Sequence, residues 1–109
     1  MFCGLAILTV VNEVGRRCFP GQDAAIQAEI SLGLAKVERF VLTNGQLAAK
    51  ELDAFKRDQG QVGAPKASLC RGGGVELYES MKSATPEELR AGIDKSVSRP
   101  GKPTWGSCL

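Results

Sequence analysis

The apolar residues of one central segment recur with the period of an α-helix. Between positions 23 and 43 they fall at i, i+4, i+7, i+8, i+11, i+14 and i+15, namely at Ile26, Ile30, Gly33, Leu34, Val37, Phe40 and Val41. Because this spacing places them on one face, the segment is predicted to be a long amphipathic helix with one side buried. On that face Gly33 lacks a side chain, which would allow a neighbouring helix to approach closely.

Two further helices are predicted around this segment. A near-continuous apolar run indicates a buried helix over residues 4–16. Residues 19–22 follow, and their Pro-Gly centre is typical of a type II turn that reverses the chain. Beyond the long helix, apolar residues at helical spacing predict a third helix over 46–59, for which Gly60 is a natural C-terminal stop.

The second half of the chain alternates irregular segments with short helices. Residues 60–74 hold five glycines and one proline, so a loop is expected there. A short helix over 75–82 follows, and the side chains expected to point inward from it are Leu77, Tyr78 and Met81. Residues 85–88 have the sequence of a capping box, which predicts the start of a last helix that extends to about 97. The Pro- and Gly-rich tail over 98–109 is not expected to be helical.

These elements and the size of the chain together predict the fold class. With 109 residues, of which 43% are hydrophobic and 24% charged, the chain is long enough for one compact domain and too short for two. We therefore expect a single all-α domain over 1–109, built as a small bundle of four or five helices and stapled by two disulfides.

Four cysteines are scattered singly along the chain, at Cys3, Cys18, Cys70 and Cys108. A straight helix over 4–16 would separate Cys3 from Cys18 by about 20 Å, whereas bridged Cα atoms lie within about 7 Å of each other. If the helices alternate up and down, Cys18 lies nearest to Cys70, which leaves Cys3 for Cys108. The swapped pairing stays open, as does the alternative of four reduced thiols in a cytosolic protein.

The predicted disulfides also indicate where the protein resides. Disulfides persist in oxidising compartments, so a periplasmic or secreted location is expected. The apolar run over 2–11 is not a complete signal peptide, because no basic residue precedes it and no small-x-small cleavage site follows it. Met1 is therefore interpreted as a start placed after a removed leader, whereas a genuine Met1 would favour the cytosolic alternative. The run is also too short to span a membrane.

The sequence lacks the residues on which most enzyme sites depend. It contains no histidine, no CxxC pair and no Ser-x-x-Lys motif. We therefore expect no enzymatic activity, no cofactor and no metal ion. A net charge of +2 is too small for the neutralisation of many phosphates, so nucleic acid is not an expected partner.

With enzymes and nucleic-acid-binding proteins not expected, the sequence favours a protein that binds another macromolecule. The leading hypothesis is a non-enzymatic exported module that recognises another macromolecule, such as an inhibitor or an immunity-type protein. The candidate binding residues are Trp105, Arg99 and Lys102 in the tail and Arg71 in the loop, because tryptophan and arginine dominate binding hot spots. One alternative is a carrier of small apolar ligands or lipids, lined by residues such as Leu34, Phe40, Phe55 and Met81. Another is a homodimeric structural protein.

Two of the candidate residues also have a purely structural interpretation, which is the favoured one. Trp105 is then an apolar plug that folds back over the helices and is held there by Cys108. Arg71 precedes a run of three glycines over 72–74. The amides of these glycines suit an anion, but a flexible hinge beside a disulfide explains them better.

The disulfide prediction is tested by intact mass spectrometry after alkylation. We expect no alkylated thiol in the unreduced protein and four after reduction, because all four cysteines are predicted to be bridged. Four alkylated thiols in the unreduced protein would contradict both the disulfides and the exported location.

Overall fold

A computed structural model describes residues 2–44 and 47–97 of the chain, and these residues contain helices and no strand. The helices, in chain order, are α1 (Phe2–Cys18), α2 (Ala24–Thr43), α3 (Ala49–Gly60), α4 (Lys66–Leu69), α5 (Gly73–Met81) and α6 (Pro86–Val97). The predicted all-α class is confirmed. The described residues form six helices rather than four or five, because α4 lies inside a segment predicted as a loop. No described helix combines the length and the apolar character that crossing a bilayer requires.

Residues 60–74 are not the unbroken loop that their glycine content predicts. α4 is a single helical turn, and α5 begins at Gly73, before its predicted start at 75. Leu69 at the end of α4 is fully buried, and burying a leucine contributes about 1.5–3 kcal/mol. Gly74 is buried against α1, where a Cβ would lie 2.6 Å from Cγ1 of Val10. Packing against α1 therefore outweighs the low helix propensity of these glycines.

α1 is the central helix of the bundle. It packs against α2, α3, α4 and α5, while α6 packs against α2. Leu5, Leu8 and Val11 of α1 are fully buried, and burial by several neighbours explains why the apolar run in this helix is nearly continuous. The buried hydroxyl of Thr9 donates a hydrogen bond to the Leu5 carbonyl oxygen at 2.7 Å, so this polar group inside the run is satisfied.

The buried side chains form two clusters along α1. The first core cluster, which holds the start of α1 and the end of α2, comprises Phe2, Leu5, Leu8, Leu34, Val37, Val41, Leu52 and Ile93. The second core cluster, which holds the end of α1 and the start of α2, comprises Val10, Val11, Val14, Ile26, Ile30, Leu69 and Tyr78. α1 and α2 are therefore antiparallel. The predicted type II turn joins them, since the Gln22 amide donates to the Phe19 carbonyl oxygen at 3.2 Å and Gly21 has a φ of 78°.

A disulfide closes the bundle beside the second core cluster. Cys18 and Cys70 are bridged, with their Cα atoms 5.7 Å apart. One of the two predicted disulfides is thus found among the described residues, and the swapped pairing is wrong. Cys108 lies outside these residues, so the bridge from Cys3 to Cys108 stays a prediction. In the chain-entropy model, closing a loop with a sequence separation of 52 stabilises the fold by about 4 kcal/mol.

The capping box at 85–88 begins α6 as predicted. The Thr85 amide donates to Glu88 Oε1 at 3.0 Å, and the Glu88 amide donates to Thr85 Oγ1 at 3.1 Å. The hydrogen bond from the Thr85 backbone favours the carboxylate and lowers the pKa of Glu88. This reciprocal pair fixes the start of α6 at Pro86.

Two glycines allow helices to cross closely. A Cβ on Gly33 of α2 would overlap the side chain of Ile93 in α6, which confirms the close approach predicted at this position. A Cβ on Gly60 of α3 would lie 2.7 Å from the Cβ of Thr9 in α1. The left-handed residue that ends α3 is not Gly60, as the sequence predicts, but Gln61, with a φ of 58°. Gly60 therefore serves the packing of α3 on α1.

Replacing Gly60 by alanine should destabilise the protein by about 1–3 kcal/mol, because the added methyl group meets the stiff side chain of Thr9. Gly92→Ala in α6 is the matched control, since nothing lies within 4 Å of a Cβ at that position. It should stabilise the protein by about 0.5–1 kcal/mol through helix propensity. Urea unfolding followed by circular dichroism measures both changes, and effects of equal sign would contradict the packing role of Gly60.

Candidate functional site

An apolar groove is open to solvent between one face of α2 and the end of α6. Its volume is about 460 Å³. The residues that line it are Leu32, Ala35, Lys36, Arg39, Phe40, Thr43, Asn44 and Val97. Val97 is the last residue of α6, and all the others belong to α2 or directly follow it. We call this surface the α2 groove.

The α2 groove exists because α2 has apolar residues beyond its buried face. Leu34 and Val37 lie in the first core cluster, whereas Leu32 is 57% exposed. Phe40 contributes to both the core and the groove, since it packs against the first core cluster and also lines the groove. A single exposed leucine is ordinary on a protein surface, but Leu32 here shares a concave surface with Phe40 and Val97. Concave apolar surfaces are the usual binding sites of proteins.

Two ion pairs connect α2 with α6, the helix that ends at Val97 of the groove. Arg90 Nε donates to both carboxylate oxygens of Glu29, at 3.1 and 3.3 Å, and Lys36 Nζ donates to Asp94 Oδ1 at 2.7 Å. The Glu29 side chain is only 9% exposed, so it depends on Arg90 for the charge contacts that water would otherwise supply. The hydrogen bond from Arg90 lowers the pKa of Glu29 and keeps the pair ionised.

The rim of the α2 groove carries positive charge. Lys36 is paired with Asp94. Arg39 is exposed, and it forms no ion pair within residues 2–44 and 47–97. Its neighbour in sequence, Glu38, is instead paired with Lys56 at 2.9 Å. The groove therefore offers an apolar floor beside Arg39, a cation that has no counterion among the described residues.

A polar cluster, separate from the α2 groove, lies where the turn after α1 meets α5. Tyr78 is fully buried, and its hydroxyl donates to Asp23 Oδ2 at 2.8 Å and accepts from Gln27 Nε2 at 3.2 Å. Its ring stacks on that of Phe19, with the ring centroids 5.1 Å apart. Lys82 Nζ lies 3.8 Å from Asp23 Oδ2. Burial raises the pKa of Tyr78, so the hydroxyl stays protonated at neutral pH.

This polar cluster fastens the turn to α5 and offers no reactive group. The amide nitrogen of Gln27 also lies 3.2 Å from the Gly15 carbonyl oxygen and 3.0 Å from that of Phe19. Asp23 has a left-handed backbone, with φ 49° and ψ 47°, which costs a non-glycine residue about 1 kcal/mol or more. The hydrogen bond from Tyr78 offsets part of this cost. Because each of these polar side chains already has a partner, we assign the cluster a structural role.

The structure describes only one of the predicted binding residues. Arg71 is exposed and follows Cys70 of the disulfide, and it is not among the residues that line the α2 groove. Trp105, Arg99 and Lys102 lie outside the described residues. The tail that carries them directly follows Val97 in the sequence, and Val97 is one of the residues that line the groove.

The residues suggested for a carrier cavity fill the core. Leu34 belongs to the first core cluster, and Phe40, Phe55 and Met81 pack against it. The rings of Phe55 and Phe2 lie 5.8 Å apart, which is the spacing of packed aromatic side chains. Of the four residues, only Phe40 also reaches the groove.

The sequence periodicity does not single out the residues of the groove. Leu32 falls between Ile30 and Gly33, off the apolar stripe of α2, and this irregular position is the one signal in the sequence that points to it. Leu77 shows the opposite error, since it is predicted to point inward and is 40% exposed. Tyr78, which is also predicted to point inward, is fully buried, and Gly74 lies one turn away on the same face of α5.

The comparisons with known proteins leave the groove to be interpreted from its own geometry. No protein-family model, no curated protein and no solved structure matches the chain significantly. Within the part of the chain that the structure describes, no group of three or more His, Cys, Asp or Glu side chains is placed to hold a metal ion.

Glu29→Gln should lower the free energy of unfolding at neutral pH, because the neutral amide loses the ionic hydrogen bonds to Arg90. The folded-state pKa of Glu29 is lowered, so this stabilisation is present above the unfolded pKa and is lost as the pH falls through the folded pKa. The difference between wild type and variant should therefore shrink in acid.

Urea unfolding at a series of pH values from neutral to acidic measures this difference. Asp53→Asn is the matched control, because it makes the same change from carboxylate to amide at an exposed position on α3. A Glu29→Gln effect that stays constant across the series would contradict the ionic contribution of the pair.

Proposed function

We propose that this protein is a non-enzymatic module that binds another protein, and that the α2 groove takes an acidic amphipathic helix of that partner. The observation that carries the proposal is the exposed apolar floor around Leu32 beside the unopposed charge of Arg39. Exposed apolar surface that is concave and rimmed by polar groups is typical of protein interaction sites.

The length of the groove favours a helix as its occupant. The lining residues of α2 extend from Leu32 to Asn44, which corresponds to about 18 Å along a helix axis. About three turns of a partner helix match this length. Helices bind such grooves through apolar residues spaced three and four apart, and Leu32, Phe40 and Val97 provide the apolar surface for them.

The charges favour an acidic partner. Arg39 is the cation at the rim, and Arg99 and Lys102 follow Val97 by two and five residues. At no more than about 3.6 Å per residue, both lie within about 18 Å of the wall of the groove. Complementary charge of this kind raises the rate of association and the selectivity for a partner.

The disulfide supports an exported location as part of this proposal. Cys18–Cys70 is of the kind that persists in oxidising compartments such as the periplasm or the exterior of the cell. The proposal includes the second bridge, between Cys3 and Cys108, which would fasten the tail to the start of α1. An inhibitor or immunity-type protein is one kind of module that fits this description.

A labelled synthetic helix tests the proposal directly. The probe is a peptide of about four turns with leucines on one face and glutamates on the other, and its comparison is the same peptide with lysines in place of the glutamates. Fluorescence anisotropy should show that the acidic peptide binds more tightly, and that the difference decreases as salt is added. Equal affinity for the two peptides would contradict the proposed partner chemistry.

Leu32→Asp should weaken binding of the acidic peptide by about tenfold or more, because it removes the burial of one leucine and adds a like charge. Leu77→Asp is the matched control, since Leu77 is also an exposed leucine but lies on α5; it should leave the affinity unchanged. Sedimentation of the free protein completes the test. If the free protein is a dimer that Leu32→Asp dissociates, the occupant of the α2 groove is a second copy of the chain and not an acidic helix.

A further inference from the structure

We propose that the tail over 98–109 occupies the α2 groove in the free protein, with Trp105 filling it, and that a bound partner displaces the tail. This inference rests on the proposed function, because it concerns the regulation of the same site. The groove is an exposed apolar surface, and the tail is attached to its wall.

The point of attachment gives the tail a high local concentration at the groove. Val97 lines the groove and is also the last residue of α6. A segment tethered at the edge of a site competes for that site at an effective concentration in the millimolar range. Weak intrinsic contacts are then sufficient for the tail to be bound most of the time.

The reach of the tail matches the length of the groove. Trp105 follows Val97 by eight residues, which span about 25 Å in an extended form at 3.1 Å per residue. Pro100 and Pro103 favour this extended form and oppose a compact one. Since the groove extends for about 18 Å along α2, Trp105 can reach any part of it.

The groove offers the apolar surface that tryptophan requires. Aromatic side chains bury about 150–250 Å² each, and a groove of about 460 Å³ lined by Leu32, Phe40 and Val97 accommodates one indole ring. Docking would also cover Leu32, which is the most exposed large apolar side chain of the described residues. Docking thus removes apolar surface of both Trp105 and the groove from contact with water.

The charges explain why the docked tail is displaceable. Arg99 and Lys102 have the same sign as Arg39, so electrostatic repulsion opposes docking, and the apolar contact of Trp105 supplies the attraction. An acidic partner can pair with Arg39 and also with Arg99 and Lys102 of the released tail. Added salt should therefore strengthen docking of the tail and weaken binding of the acidic peptide.

The predicted bridge between Cys3 and Cys108 fits this placement. Cys3 lies at the start of α1 beside Phe2, which belongs to the first core cluster, and Val97 packs against the same cluster. Trp105 precedes Cys108 by three residues. A bridge at Cys108 would therefore keep Trp105 at the end of the bundle where Val97 lies.

The fluorescence of Trp105 tests the inference, because it is the only tryptophan of the chain. In the wild-type protein we expect a blue-shifted emission maximum and weak quenching by acrylamide. Leu32→Asp should shift the emission to the red and raise the quenching constant severalfold, while Leu77→Asp should change neither. Circular dichroism confirms that both variants keep the helical content of the wild type.

Two results would overturn the inference. One is an emission typical of a fully exposed tryptophan in the wild-type protein. The other is an emission that is blue-shifted and unchanged by Leu32→Asp, which would place Trp105 somewhere other than the groove.

Titration with the acidic peptide separates this inference from the proposed function. If the tail competes, the peptide should red-shift the emission of Trp105, and Trp105→Ala should tighten peptide binding severalfold. Weaker peptide binding by Trp105→Ala would show that Trp105 contacts the partner, which overturns the tail inference and leaves the proposed function standing. An emission change on Leu32→Asp without any peptide binding would instead support the tail and contradict the proposed function.

Discussion

The burial of α1 is the constraint on which the rest of the structure depends. A chain of this size has room for one helix that is covered on most sides, and α1 takes that place between α2, α3, α4 and α5. Each surrounding helix then needs only one apolar face. Close approach to α1 requires small residues on the neighbours, which explains why Gly60 and Gly74 stand where a Cβ would meet Thr9 and Val10.

α6 packs mainly on α2, so its position depends on α2 rather than on α1. Gly33 lets Ile93 pack tightly across α2, and ionic hydrogen bonds between Glu29 and Arg90 also join the two helices. Because α6 covers only part of α2, it leaves Leu32 exposed and brings Val97 beside it. The α2 groove is thus a consequence of the place where α6 lies and ends.

The cluster around Tyr78 and the α2 groove differ in how completely their groups are satisfied. The Tyr78 hydroxyl bonds to both the Asp23 carboxylate and the Gln27 amide, and the nearby disulfide holds the same region together. At the α2 groove, an apolar floor faces solvent and Arg39 has no counterion within the described ranges. Stability accounts for the first arrangement, whereas the proposed binding at the groove would account for the second.

Local chemistry let the sequence by itself determine the helical class, the turn at 19–22 and the capping box at 85–88, and the alternation of helices favoured the pairing of Cys18 with Cys70 that the structure then decided. Each of these depends on residues close in sequence or on the simple alternation of helices. Tertiary structure alone decided that α4 forms, that Gly60 serves packing and that Leu77 faces outward. It also decided that Leu32 and Val97 share a groove. Periodicity reports how apolar residues are distributed around one helix axis, but which of them are covered depends on the neighbours that pack there.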